Sequence, residues 1–185
     1  MFTLNQPLYS VFWPTQNKLA KELSLILLGI VLLAFSAQII IPWQPVPLTF
    51  QSATVILIGC LYGARLASFT VLGYWLVGLL GLPVFAQWSS GLGVFLGLTS
   101  GYLIGFLPAA AISGYLAQHG WGRNILSAFL AACLGAGVIF LMGMLMLAKF
   151  IGWHKAFQFG VQPFLLTEPV KLLAAAMIVP RCWKS

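Results

Sequence analysis

Residues 23–41 of this chain contain no charged side chain, and residues 53–82 contain only Arg65. An α-helix crosses the hydrocarbon core of a bilayer with about 20 consecutive apolar residues. Three further apolar runs follow at 99–117, 125–148 and 157–179. This pattern leaves little room for a soluble fold. Across 185 residues the chain is 61% hydrophobic and 6% charged, whereas soluble domains carry about 25% charged residues. Nine basic and two acidic side chains cannot cover a soluble surface of this size. No small-residue cleavage pattern follows the first apolar run, so it reads as a true span and not as a removed signal.

The sequence predicts an all-α membrane protein with six transmembrane helices. The 53–82 stretch reads as two spans joined at Gly63, Ala64 and Arg65. They are short, roughly 12 and 17 residues, so at about 1.5 Å per residue the first barely reaches 20 Å. The sixth span, 157–179, is interrupted by Pro163, Glu168, Pro169 and Lys171. Residues 1–22, with Trp13, Pro14 and two lysines, read as an interfacial arm, and 23–181 as one transmembrane domain. Six spans put both termini on one side. Lys18, Lys21, Arg65, Arg123, Arg181 and Lys184 fall on that side, against Lys149 and Lys155 on the other. Basic residues accumulate in the cytoplasm, so both termini are expected there. The +7 charge lies in these flanking segments, with no basic run that would point to nucleic acid. Cys60, Cys133 and Cys182 have no metal-ligand spacing.

Two loops on the outer side are uncharged. Residues 42–52 (PWQPVPLTFQS) hold three prolines, and 81–98 (GLPVFAQWSSGLGVFLGL) are rich in glycine. Irregular backbone at membrane depth must be covered by protein or border a water-filled cavity, so these loops read as lids or as ordinary connectors. From Gly93 a small residue recurs every fourth position through Gly97, Gly101, Gly105, Ala109, Ser113 and Ala117. Such a ladder permits close helix packing. A four-residue step drifts by about 40° around the helix, so one straight partner cannot meet every rung. Tight internal packing is the expected use.

Glu168 is the one acid inside a predicted span, and Lys171 lies three residues on, along the same helix face. Intramembrane charge is costly and marks a candidate site. Pro169 suits a first helical position, with Thr167 or Glu168 as cap. The span is therefore expected to break near 163–167 and restart at Pro169, as discontinuous helices do in transporters. An acid beside a lysine offers an acceptor and donors without net charge, which suits a urea or amide. A structural ion pair is the other reading. No nucleophile–histidine set, metal cluster, cofactor motif or phosphate-binding loop is present in the sequence, so neither an enzyme nor an ATPase is expected.

The segments PVPLTFQ (45–51), YGAR (62–65), GLPVFA (81–86), GLTSGY (97–102) with Gly105 and Phe106, and PFLLTEPVK (163–171) resemble the BioY family. These are biotin-binding S components of energy-coupling-factor (ECF) vitamin transporters. The resemblance covers roughly residues 25–180 in order. It implies an S-component-like bundle in the cell membrane that captures biotin from the outer face. It also implies a transmembrane coupling subunit and paired ATPases on separate chains. Its motifs place substrate-binding roles on Glu168, Lys171, Gln87, Tyr102, Thr49 and Gln51, with Glu168 standing where the family usually has aspartate. Phe85, Trp88 and Tyr102 are candidate walls for the biotin bicycle. An S component for another small vitamin, or a membrane scaffold without a ligand, are the alternatives.

Overall fold

A computed structural model describes residues 17–183. The proposed arm lies mostly outside these residues, and its described part from Lys18 already belongs to the first helix. Helix α1 (Lys18–Gln38) is followed by two short antiparallel strands, β1 (Ile40–Ile41) and β2 (Leu48–Thr49), with Ile40 opposite Thr49 and Ile41 opposite Leu48. The proline-rich loop is thus the tip of a small hairpin. Next come α2 (Gln51–Leu79), a 3-10 turn (Ala86–Trp88) and the single-turn α3 (Leu92–Leu96). Helix α4 (Ser100–Leu116) ends in a wide turn at Ala117–Trp121. Helices α5 (Ile125–Ile151), α6 (Trp153–Gly160) and α7 (Gln162–Trp183) complete the chain.

Helix α2 is two helical segments. Gly63 within it has φ +78° and ψ 166°, which is not helical. Gln51 and Tyr74 lie on either side, 23 residues apart, yet the Gln51 amide donates to the Tyr74 hydroxyl at 2.8 Å. A straight helix would separate them by about 34 Å. The two halves therefore run back along each other, as the sequence predicts. A helical bond from Ala64 N–H to the Cys60 carbonyl would span Gly63. Instead Gln118 Oε1 accepts from Ala64 N–H at 3.3 Å, and Trp183 Nε1 donates to the Cys60 carbonyl at 2.9 Å. Two distant side chains thus satisfy the backbone groups that the bend frees.

Helix α4 runs between α2 and α5, and its small residues set the approach. A Cβ on Gly105 would stand 3.0 Å from Ile139 Cα, and one on Gly101 would strike the Met142 carbonyl. Lower down, a Cβ on Gly59 would strike Ser113, and one on Gly114 would reach 2.5 Å from Ala64 N. The ladder thus passes from α5 to α2 along its length, as its drift requires. Gly93 and Gly97 precede α4, and a Cβ added to either would touch no helix beyond their own short α3 turn.

Helix α1 is the outermost. It buries Gly29, Leu33, Ser36 and Ala37, while Leu27, Val31 and Phe35 stay exposed. That outward stripe is compatible with lipid, and among the described residues five helical stretches are long and apolar enough to cross a membrane.

One expectation is corrected. The last span does not restart at Pro169. Its break lies earlier, at Val161 (φ −126°, ψ −52°), between α6 and α7. Pro163 is the second residue of α7, where its missing N–H costs little. Pro169 sits inside a continuous helix. The helix N-terminus expected beside Glu168 is therefore absent.

Candidate functional site

A cavity of about 620 Å³ opens between the β-hairpin, the start of α2, the 85–99 segment, the first turns of α4 and α7 and the middle of α5. Its size suits a small organic molecule. Trp43, Phe85, Tyr102, Phe106, Phe140 and Phe164 supply aromatic wall. Gln44, Thr49, Gln51, Ser52, Gln87, Ser89 and Thr99 supply neutral amides and hydroxyls. Among the described residues, no charged side chain lines the cavity.

Five of the eight candidate residues meet at this cavity: Thr49, Gln51, Phe85, Gln87 and Tyr102. The amide of Gln51 is fixed by its bond to Tyr74, whose hydroxyl donates to the Val84 carbonyl at 2.8 Å. Phe85 is held edge-on by Tyr74, with ring centroids 5.3 Å apart. Tyr102 donates its hydroxyl to the Gly160 carbonyl at 2.7 Å and stacks on Phe164. It therefore presents a ring to the cavity while its hydroxyl holds the α6–α7 junction. Trp88 stands apart, 69% exposed and outside the lining. It and Gln87 both take left-handed backbone (φ 57° and 58°), and this reversal carries the indole outward.

Glu168 and Lys171 do not line the cavity. They form an ion pair behind its wall. Ser52 connects them to it. The buried Ser52 hydroxyl donates to Glu168 Oε1 at 2.8 Å and accepts from Lys171 Nζ at 3.2 Å. Lys171 also donates to the Thr49 carbonyl at 2.9 Å. Its three protons thus match three acceptors, and the ammonium lies 6.0 Å from the Phe50 ring centroid. Glu168 Oε2 is buried without a hydrogen-bond partner among the described residues. Such an oxygen favours any donor brought to it. Sequence reasoning missed Ser52, which reads as an ordinary residue at a helix start.

Fold and cavity together define an all-α, multi-pass membrane protein that encloses a space of small-molecule size. The chain belongs to the BioY family, whose model matches residues 9–185. It is 41% identical over 162 residues to "Probable biotin transporter BioY" of Pyrococcus horikoshii, covering 88% of this chain and 96% of that protein. It is 36% identical over 155 residues to "Biotin transporter BioY" of Thermotoga maritima, covering 83% of this chain and 90% of that one. The fold matches a crystal structure described as the S-component for biotin from an ECF-type ABC transporter. The TM-score is 0.81 at 22% identity, covering 91% of this chain and 94% of that chain.

Proposed function

We propose that this chain is the substrate-capture subunit of a biotin uptake system, taking biotin from the outer face and passing it inward with separate coupling and ATP-hydrolysing chains. The observation that carries this reading is the cavity: aromatic walls, neutral amides and hydroxyls at its rim, and a buried Ser52–Glu168–Lys171 network behind one side. Aromatic wall suits a compact apolar bicycle. A ureido group needs both donors and acceptors, which Gln51, Ser52 and Thr49 can supply from the lining. In this reading Glu168 and Lys171 act mainly through Ser52 and Thr49, and Glu168 Oε2 is an acceptor within reach of a small rearrangement. Both termini lie in the cytoplasm of the cell membrane, as the basic residues favour. The outward stripe of α1 faces lipid or the coupling chain.

The test is uptake. Cells lacking their own biotin import receive this chain with and without a coupling subunit and ATPases, and labelled biotin is followed. Biotin accumulation that needs this chain supports the reading. Accumulation of a different vitamin would reassign the substrate, and no vitamin uptake by membrane-inserted protein would favour the scaffold alternative.

A further inference from the structure

We infer that Gln38, at the end of α1, is a positioning residue for the cavity: its side-chain amide clasps the 85–88 turn and holds Gln87 at the rim. The inference rests on the reading of this cavity as the ligand site. Helix α1 contributes no residue to the lining, so Gln38 acts only through the turn it grips. Its Nε2 donates to the Phe85 carbonyl at 3.0 Å, and its Oε1 accepts from Trp88 N–H at 3.2 Å. One planar amide thereby brackets Ala86 and Gln87, both lining residues.

The bracketed turn has a shape that its sequence does not favour. Gln87 and Trp88 are consecutive left-handed residues with a Cβ, at φ 58° and 57°. That region is sparsely populated by such residues, and a strained conformation persists only where its surroundings over-determine it. Bonds inside the turn close it: Phe85 N–H to the Ser89 carbonyl at 3.1 Å and Ser89 Oγ to the Ala86 carbonyl at 2.7 Å. They do not fix it against the bundle. Tyr74 anchors Val84 ahead of the turn. Gln38 is the side chain that grips both flanks of the strained segment. Its neighbour Ile39 accepts from Phe50 N–H at 3.2 Å, so the same short stretch also ties down the β-hairpin across the cavity mouth.

The test uses the full chain purified in detergent, titrated with biotin and followed by hydrogen exchange. Gln38→Met keeps the side-chain length and removes both bonds. It is expected to weaken biotin binding by about tenfold or more with only a small drop in melting temperature, and to speed exchange over residues 84–90 but not within α5. Adding Trp88→Asn, which tolerates left-handed backbone, should recover most of the lost affinity. Binding within about twofold of native would overturn the inference. So would a loss that Trp88→Asn fails to restore, because the turn shape would then not be the cause. Should Gln38→Met fail to fold, Gln38→Glu keeps the acceptor for Trp88 N–H and loses the donor to Phe85, and an intermediate loss is expected. If the native chain binds no biotin, the functional reading fails separately. The exchange comparison then decides the clasp alone, with faster exchange in the variant supporting it and unchanged exchange refuting it.

Discussion

Ser52 and Glu168 are 116 positions apart in the chain and share a buried hydrogen bond of 2.8 Å. That bond joins the first turn of α2 to the second turn of α7, and with Lys171 it fastens the cavity wall to the last span. Ser52 both donates to the acid and accepts from the lysine, so one hydroxyl serves an entire ion pair.

Ser52→Ala therefore removes one of the donors to Glu168 Oε1 and one of the three acceptors of Lys171, while the ion pair and the Thr49 bond remain. Hydrogen bonds to charged groups contribute about 1.5–3 kcal/mol. We expect a lower melting temperature in detergent and weaker biotin binding, both read on the same preparation.

Lys171→Ala strands a buried carboxylate and releases the Thr49 carbonyl. Breaking a buried pair from one side costs about 3–5 kcal/mol, while removing both charges costs much less. Lys171→Met combined with Glu168→Gln should accordingly be more stable than Lys171→Met alone, by thermal unfolding. A double variant no more stable than the single would show that the pair carries little electrostatic coupling.

Gly63→Ala attacks the hairpin. Its φ of +78° disfavours any side chain, and the added Cβ would stand 2.5 Å from the Gln118 amide nitrogen. Backbone at φ +78° and ψ 166° is essentially a glycine conformation, and holding another residue there costs about 1–3 kcal/mol, so the variant should melt earlier. Gln118→Leu should also destabilise, since it removes the acceptor that receives Ala64 N–H.

Tyr102→Phe removes the bond to the Gly160 carbonyl and keeps the ring. A loss of about 0.5–1.5 kcal/mol in stability is expected, with biotin affinity reduced modestly. Tyr102→Ala removes the wall itself and should reduce affinity far more, as titration of the two variants side by side would reveal.

The bend at Gly63 was legible because a glycine and an arginine interrupt an apolar run too long for one span and too short for two full ones. The i, i+3 spacing of Glu168 and Lys171 was legible for the same local reason. What they face was not, because Ser52 joins them only through tertiary contact. The break in the last span was misplaced because a proline inside a helix looks like a start from sequence alone. Pro163 occupies the tolerant second position of α7, and the break is located by a contact from another helix. The Tyr102 hydroxyl meets the Gly160 carbonyl, and a Cβ on Gly160 would strike that hydroxyl. Trp88 was a candidate for the wall because its large aromatic ring suits an apolar bicycle. Two successive left-handed residues, which nothing in Gln-Trp announces, turn it outward.

The most direct test of the account is a calorimetric titration of the purified, monodisperse chain with biotin, alongside the cavity-filling variant Leu103→Trp. Leu103 lines the cavity and takes no part in the polar network, so a larger side chain there obstructs the space alone. The account predicts saturable one-to-one binding by the native chain and its loss in a variant that remains folded. Absence of binding by the folded native chain, or undiminished binding with the cavity filled, would contradict it.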